Sequence, residues 1–209
     1  MRDLLQFPCT IYDANCIVYY CFRIEDRDVE EARVVILGPE TRKARDITSQ
    51  LIRNAKTICT LIAAWTEVAN VLSKALQSLI DDGYIARELR TDKQISPTLR
   101  WRFMRSLKQE MVKLHRSEWF SVVQGYDPTM AKVREVRELY ARFARDPKTQ
   151  NRIPPNKGMP SNTDIALILY SGHAHLPLLT NDKEISNFAP ELRQHGFCEL
   201  IKPFQGVRF

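Results

Sequence analysis

The sequence has no apolar stretch near the ~20 residues that a membrane-spanning helix needs, and its first residues show no secretory signal pattern. Its five cysteines include no pair separated by two residues, which makes a structural zinc site of the ribbon type unexpected. Internal repeats and low-complexity tracts are also missing. We therefore expect one globular domain over residues 1–209, reduced and cytoplasmic, with no membrane contact.

Positive charge is concentrated in the middle of the chain. Residues 84–158 contain 17 Lys and Arg against 8 Asp and Glu, whereas the whole chain has a net charge of +6. The remainder is therefore mildly acidic. A basic middle on an acidic frame favours a phosphate-bearing partner, and the alternative is a solvated surface that happens to be basic.

Short β-prone segments alternate with helical patterns along the chain. The candidate strands are residues 10–12, 57–61, 120–124, 176–179 and 197–201. The candidate helices are residues 16–22, 39–55, 63–79, 97–119, 128–144 and 164–172. Residues 23–34 suggest a loop or an exposed helix, and residues 146–160 suggest an open loop. The alternation predicts a three-layer α/β/α fold with a central, mainly parallel sheet and an inserted basic helical segment at about residues 84–119.

Two aspartates directly follow candidate strands. Asp13 comes after residues 10–12, and Asp182 comes after residues 176–179. Ligands gather at the carboxyl ends of parallel strands, so both aspartates are candidate site residues. Each has a structural alternative: Asp13 can cap the next helix, a role also open to Asn15, and Asp182 can be a turn residue. Glu184, two residues beyond Asp182, can reach the same place.

Two further carboxylates lie near helix starts. Asp164 ends the capping-box pattern Ser161-Asn162-Thr163-Asp164, and Glu67 lies early in an apolar helix, where an exposed polar face is the alternative. Carboxylate oxygens without histidine or thiolate partners suit Mg²⁺ or Mn²⁺ rather than zinc. Like charges gathered at one sheet edge need a cation, so the four carboxylates predict metal-assisted attack on a phosphodiester.

The segment of residues 97–119 has two chemically different sides. One side carries Phe103, Leu107, Met111 and Leu114, and the other carries Arg102, Arg105, Lys113 and Arg116. We expect the apolar side to pack on the protein body and the basic side to hold the phosphate backbone of a nucleic acid. A solvated charged face is the alternative.

These segments resemble the PIN-domain nuclease family. The resemblance rests on Ile11-Tyr12-Asp13-Ala14-Asn15, on residues 161–169 (SNTDIALIL) and on residues 178–184 (LLTNDKE). Asp13, Asp164 and Asp182 match the family's acidic positions, Asn15 and Thr180 match its polar companions, and Glu67 matches its helical glutamate. The resemblance implies a three-layer α/β/α fold, a divalent metal ion, and cleavage of single-stranded RNA that leaves a 5′-phosphate.

The resemblance covers roughly residues 8–80 and 120–205. The chain is longer than the compact toxin-type ribonucleases of that family, with extra material at residues 23–34 and 84–119. The candidate partners are thus single-stranded RNA, a co-encoded antitoxin and a second copy of the chain. Whether the protein is a toxin or belongs to another subfamily stays open.

Two other functions compete with a nuclease. A phosphatase of the haloacid-dehalogenase kind also places Asp after its first strand, but it needs a second Asp where this chain has Asn15. A non-catalytic, RNA-binding PIN scaffold would lack metal ligands, whereas every candidate ligand is present here. A Cys–His nucleophile is disfavoured, because the four histidines lie far along the chain from the cysteines in any obvious pairing.

Overall fold

A computed structural model describes residues 2–21, 39–81, 90–91, 94–95, 97–153, 159–204 and 207. Residues 23–34, for which a loop or an exposed helix was predicted, lie outside these ranges. The helices are α1 (Arg2–Leu5), α2 (Ala14–Cys21), α3 (Pro39–Arg53), α4 (Ile62–Asp81), α5 (Pro97–His115), α6 (Met130–Arg145), α7 (Asn162–Ala174), α8 (Lys183–Ser186) and α9 (Ala189–Gln194). The strands are β1 (Cys9–Tyr12), β2 (Thr57–Leu61), β3 (Arg90–Thr91), β4 (Gln94–Ile95), β5 (Phe120–Val123), β6 (Pro177–Thr180) and β7 (Leu200–Pro203).

Five strands form one parallel sheet in the order β5-β2-β1-β6-β7, and β3 and β4 form a separate antiparallel pair. Helix α2 packs against α3, α4 and α5, while α7 packs against α6 and α4. The central strands β1, β2 and β6 are almost entirely buried, as expected where helices cover both faces of a sheet. The predicted three-layer α/β/α fold is confirmed.

The strand order creates a crevice between β1 and β6. The chain starts the sheet in its centre with β1, adds β2 and β5 on one side, and then crosses to the other side for β6 and β7. Connections that leave two neighbouring strands in opposite directions open a crevice at the carboxyl ends of those strands, where ligands bind in folds of this kind. Asp13 follows β1 and Asp182 follows β6 at this position.

Helix α5 belongs to the inserted segment and is anchored by its apolar side. Phe103, Leu107 and Leu114 are buried and Met111 is half-buried, as the amphipathic pattern predicts. The predicted helix end at residue 119 is wrong, because α5 ends at His115. The Ser117 hydroxyl donates to the carbonyl of Leu114 at 2.6 Å and so occupies a carbonyl that another turn of helix would have used.

The last strand also differs from its prediction. Residues 197–201 were expected to form it, but β7 spans Leu200–Pro203. Phe197 and Cys198 are buried for another reason: this segment lies directly against α7, where a Cβ atom on Gly172 would come within 2.8 Å of the Phe197 carbonyl oxygen. Apolar character here reflects packing, not pairing in the sheet. No helix in the described ranges is long and apolar enough to cross a membrane.

Candidate active site

Asp13 is held at the end of β1 by two hydrogen bonds. The backbone N–H of Cys16 donates to its Oδ1 atom at 2.7 Å, and the hydroxyl of Thr180 donates to its Oδ2 atom. The first bond caps α2, so the capping role considered from the sequence belongs to Asp13 and not to Asn15. Each carboxylate oxygen still has a second lone pair, so capping does not exclude ligand binding.

Asp182 lies two residues beyond β6 and is linked to the opposite strand. Its backbone N–H donates to the Thr180 hydroxyl at 3.0 Å, and the side-chain amide of Asn15 donates to its Oδ2 atom at 3.1 Å. Thr180 therefore binds the aspartate after β1, while Asn15 binds the aspartate after β6. We call Asp13 and Asp182 the strand pair, because these crossed bonds fix both carboxylates between the two strands.

Asp164 is fixed at the first turn of α7. The Ser161 hydroxyl accepts from the backbone N–H of Asp164 at 3.1 Å, and the Asp164 carboxylate accepts from the backbone N–H of Ser161 at 2.9 Å. This is the capping box that the sequence pattern predicts. Asp164 therefore takes part in capping α7, and its half-buried carboxylate lies at the start of that helix.

Glu67 reaches the same helix start from α4. The hydroxyl of Thr163 donates to its Oε1 atom, so two segments 96 residues apart in sequence meet here. We call Asp164 and Glu67 the helix pair. Thr163 was not singled out from the sequence, and no local pattern could have identified it, because its partner is distant along the chain.

The four carboxylates influence one another electrostatically. Burial and the charge of Asp182 together raise the pKa of Asp13 to about 6, against the opposing hydrogen bonds. Burial likewise raises the pKa of Asp164 to about 6, with smaller contributions from Asp182 and Glu67. Asp182 thus acts on both pairs, and the repulsion is of the kind that a bound cation relieves.

Glu184, the other carboxylate considered from the sequence, lies on α8 next to a buried tyrosine. The hydroxyl of Tyr140 donates to the backbone carbonyl of Glu184 at 3.0 Å. Burial raises the pKa of Tyr140, and the charges of Asp164 and Glu184 add to this effect. Helical periodicity points Tyr140 inward, but its position beside these carboxylates could not be inferred from it.

A ready-made metal site is not present among these side chains. In the part of the chain that the structure describes, no three His, Cys, Asp or Glu side chains are grouped closely enough to hold a metal ion. The donor types nevertheless fit a hard divalent cation, since they are carboxylate, hydroxyl and amide oxygens. The crossed bonds orient the strand pair in the manner of groups that position metal ligands.

A positive side chain contacts the first residue of α7. Arg137 on α6 is exposed and donates from Nη2 to the Oδ1 atom of Asn162 at 2.6 Å. Asn162 is the first residue of α7, two positions before Asp164. The sequence shows Arg137 only as one basic residue among many, so tertiary contact is what distinguishes it.

The predicted basic stripe is less uniform than the sequence suggests. Arg105 and Arg116 are exposed, and Arg116 lies beyond the end of α5. Arg102 is half-buried, and Lys113 forms an ion pair with Glu110 at 2.6 Å. The four residues share a side of the segment. Arg105 and Arg116 face solvent, whereas Arg102 is partly covered and the charge of Lys113 is paired with Glu110.

Comparisons of the chain with protein-family models, with curated proteins and with solved structures gave no match.

Proposed function

We propose that this protein is a divalent-metal-dependent endoribonuclease of the PIN-domain kind that hydrolyses phosphodiester bonds in single-stranded RNA. The observation that supports the proposal is the placement of Asp13 and Asp182 after the neighbouring strands β1 and β6, together with the influence of Asp182 on both carboxylate pairs. The charge of Asp182 raises the pKa of Asp13 and of Asp164, Glu67 also raises that of Asp164, and both aspartates have a pKa of about 6. Carboxyl groups whose pKa is raised by burial and by neighbouring carboxylates cluster at functional sites.

Each residue has a distinct part in the proposed reaction. Asp13, Asp164 and Asp182 hold a Mg²⁺ or Mn²⁺ ion, and Glu67 completes the acidic set from α4. Asn15 and Thr180 keep the strand pair in position through their crossed bonds. A divalent cation bound by these oxygens supplies an activated water molecule and charge stabilisation for the phosphate.

The surrounding charge supports a nucleic-acid substrate. Arg137, which contacts the first residue of α7, adds positive charge at the start of that helix. The wider basic segment of residues 84–158, which includes α5 and α6, supplies the sequence-independent attraction that RNA-binding proteins use. An antitoxin partner and a homodimer are predictions from the family resemblance alone.

Cleavage of a fluorescent single-stranded RNA tests the proposal. We expect Mn²⁺ or Mg²⁺ to support cleavage and EDTA to stop it, because the donor set is all oxygen. Asp13→Asn, Asp164→Asn and Asp182→Asn should each reduce cleavage about 100-fold or more. Glu67→Gln should have a smaller effect. Full activity in EDTA, or restoration by zinc alone, would contradict the mechanism.

Metal binding can be measured without turnover. Mn²⁺ should raise the melting temperature of the wild-type protein, since a ligand that binds only the folded state stabilises it. Asp182→Asn should lose this rise, because Asp182 acts on both carboxylate pairs. Asp46→Asn on α3, an exposed carboxylate, is the matched control and should keep both the rise and the cleavage.

A non-catalytic RNA-binding scaffold is the second candidate. Two observations favour it: Asp13 and Asp164 already serve as helix caps, and the described residues contain no completed group of three metal ligands. The same assay separates the two functions. A scaffold binds RNA in Mn²⁺ and leaves it intact, and its Asp182→Asn variant responds to Mn²⁺ as the wild type does.

A further inference from the structure

Helix α5 presents a second feature, which shares only Arg105 with the basic stripe. Trp101 is 60% exposed and Val112 is 50% exposed, although both are large apolar side chains. Together with Arg105 and Lys108 they follow one another at spacings of four, three and four residues, which places them on one side of a helix. We call these four residues the Trp101 strip.

The strip combines an open aromatic face with positive charge. The Arg105 guanidinium lies 5.4 Å from the centre of the Trp101 ring, and Lys108 one turn further on is exposed. The nearby acidic residue Glu110 is only 8% exposed and is paired with Lys113, so it does not face the strip. The opposite side of α5 is buried, which leaves the strip directed away from the protein body.

We infer that the Trp101 strip binds single-stranded nucleic acid, with one unpaired base stacked on Trp101 and the neighbouring phosphates contacted by Arg105 and Lys108. An exposed indole beside cations is the combination that sequence-tolerant single-strand binding uses, because every base offers a flat face for stacking. The choice of RNA as this ligand rests on the proposed function.

The strip can be tested apart from the carboxylates, because it lies on a different element. Trp119 packs edge-on against Tyr20 near the end of α2, whereas Asp13 precedes the start of α2. The C-terminal end of α5 therefore lies near the C-terminal end of α2, whereas Asp13 lies at the N-terminal end of α2. Variants in the strip leave all four carboxylates and their hydrogen bonds in place.

Binding of a labelled single-stranded RNA of about 12 nucleotides, followed by fluorescence anisotropy in EDTA, measures the strip without hydrolysis. Trp101→Ala should weaken binding about tenfold, within the range measured for loss of one stacked base. Trp101→Phe should retain most of the affinity, because a phenyl ring still stacks. A duplex RNA of equal length should bind the wild type and Trp101→Ala alike, since its bases are already stacked.

The charged residues are tested against a matched pair. Arg105→Gln with Lys108→Gln should lower the salt slope of log K by about 1.4, or roughly 0.7 for each phosphate contact on a single strand. Arg42→Gln with Arg53→Gln, two exposed arginines on α3 and outside the basic segment, removes the same charge and should leave the slope nearly unchanged. Equal slopes in the two double variants would overturn the phosphate contacts.

Tryptophan fluorescence provides an independent readout. Stacking of a base on Trp101 should quench emission of the wild type and not of Trp101→Phe, since Trp65 and Trp119 are partly covered by other rings.

Unchanged RNA affinity in Trp101→Ala would overturn the inference, as would binding of anionic vesicles in its place. If wild-type protein cleaves RNA and Trp101→Ala binds it equally well, only the strip is wrong. If the strip binds RNA and no metal supports cleavage, only the proposed reaction is wrong.

Discussion

The strand pair is held by hydrogen bonds that cross between β1 and β6, whereas the helix pair is held at the start of α7. Thr180 and Asn15 each bind the carboxylate that follows the other strand. Asp164 is hydrogen-bonded to Ser161, three residues away, and Glu67 accepts a hydrogen bond from Thr163. The first arrangement exists only once the sheet has formed, while the capping box needs only the first turn of a helix. We therefore expect the two pairs to respond differently to substitution.

The stability of the metal-free protein should depend on pH, because each pair contains an aspartate whose pKa is raised. In metal-free protein the pKa of Asp13 is about 6, above its ordinary value near 4, because the site is buried and Asp182 is close. The folded state thus binds protons that the unfolded state has released. The contribution of Asp13 to stability is complete below about pH 4 and is lost as the pH rises through 6. A shift of roughly two units corresponds to about 3 kcal/mol at most.

Urea unfolding in EDTA between pH 4.5 and 7.5 measures this effect. Asp13→Asn and Asp164→Asn should each reduce the dependence of the unfolding free energy on pH, since Asp164 also has a pKa of about 6. Asp182→Asn should reduce the contributions of both aspartates, because its charge raises both pKa values. If the unfolding free energy of all three variants varies with pH as it does in the wild type and in the control Asp46→Asn, repulsion between the carboxylates does not affect stability. Saturating Mn²⁺ should reduce the pH dependence between about pH 4 and 6, because metal and protons compete for the same oxygens.

The difference between the pairs also explains what the sequence could predict. β2 and the capping box of α7 were predicted closely, because a short, β-prone apolar run and the Ser161–Asp164 spacing are local signals. The positions of Asp13 and Asp182 followed from strand ends together with the rule for parallel sheets. The crossed bonds of Asn15 and Thr180, and the contact of Thr163 with Glu67, could not be predicted, since each joins residues far apart in sequence.

Substitution of one hydroxyl in each pair compares the two arrangements directly. Thr180→Val removes a donor to Asp13 and an acceptor for the backbone N–H of Asp182, both in a buried setting. We expect a loss of about 2 kcal/mol or more in the free energy of unfolding. Ser161→Ala removes an exposed helix cap and should cost about 1 kcal/mol.

Urea unfolding near pH 7 in EDTA measures both variants. Thr180→Ser is the matched control, because it keeps the hydroxyl and should recover most of the loss. A cost for Ser161→Ala that equals or exceeds that for Thr180→Val would reverse the order of the two pairs. In that case local capping, rather than the contacts between strands, would be the main support of the site.

The smallest expected effect concerns Arg137, which contacts the start of α7. It donates to the neutral amide oxygen of Asn162, so that contact leaves its positive charge uncompensated at the start of this helix. A phosphate bound there gains an exposed ion pair, which is worth roughly 0.2–1 kcal/mol. Arg137→Gln should therefore raise KM about threefold and leave kcat nearly unchanged, since the contact is made equally before and during the reaction.

Arg134→Gln, on the same helix and equally exposed, controls for the loss of one positive charge. Because exposed charges are screened by salt, the effect of Arg137→Gln should shrink as ionic strength rises from 0.05 M toward roughly 0.5 M, where the Debye length falls well below 10 Å. Equal KM values for the two variants would mean that α6 contributes only a diffuse field. A fall in kcat for Arg137→Gln would mean instead that Arg137 acts on the reacting phosphate itself, and the helix pair would then be the half of the site closer to the chemistry.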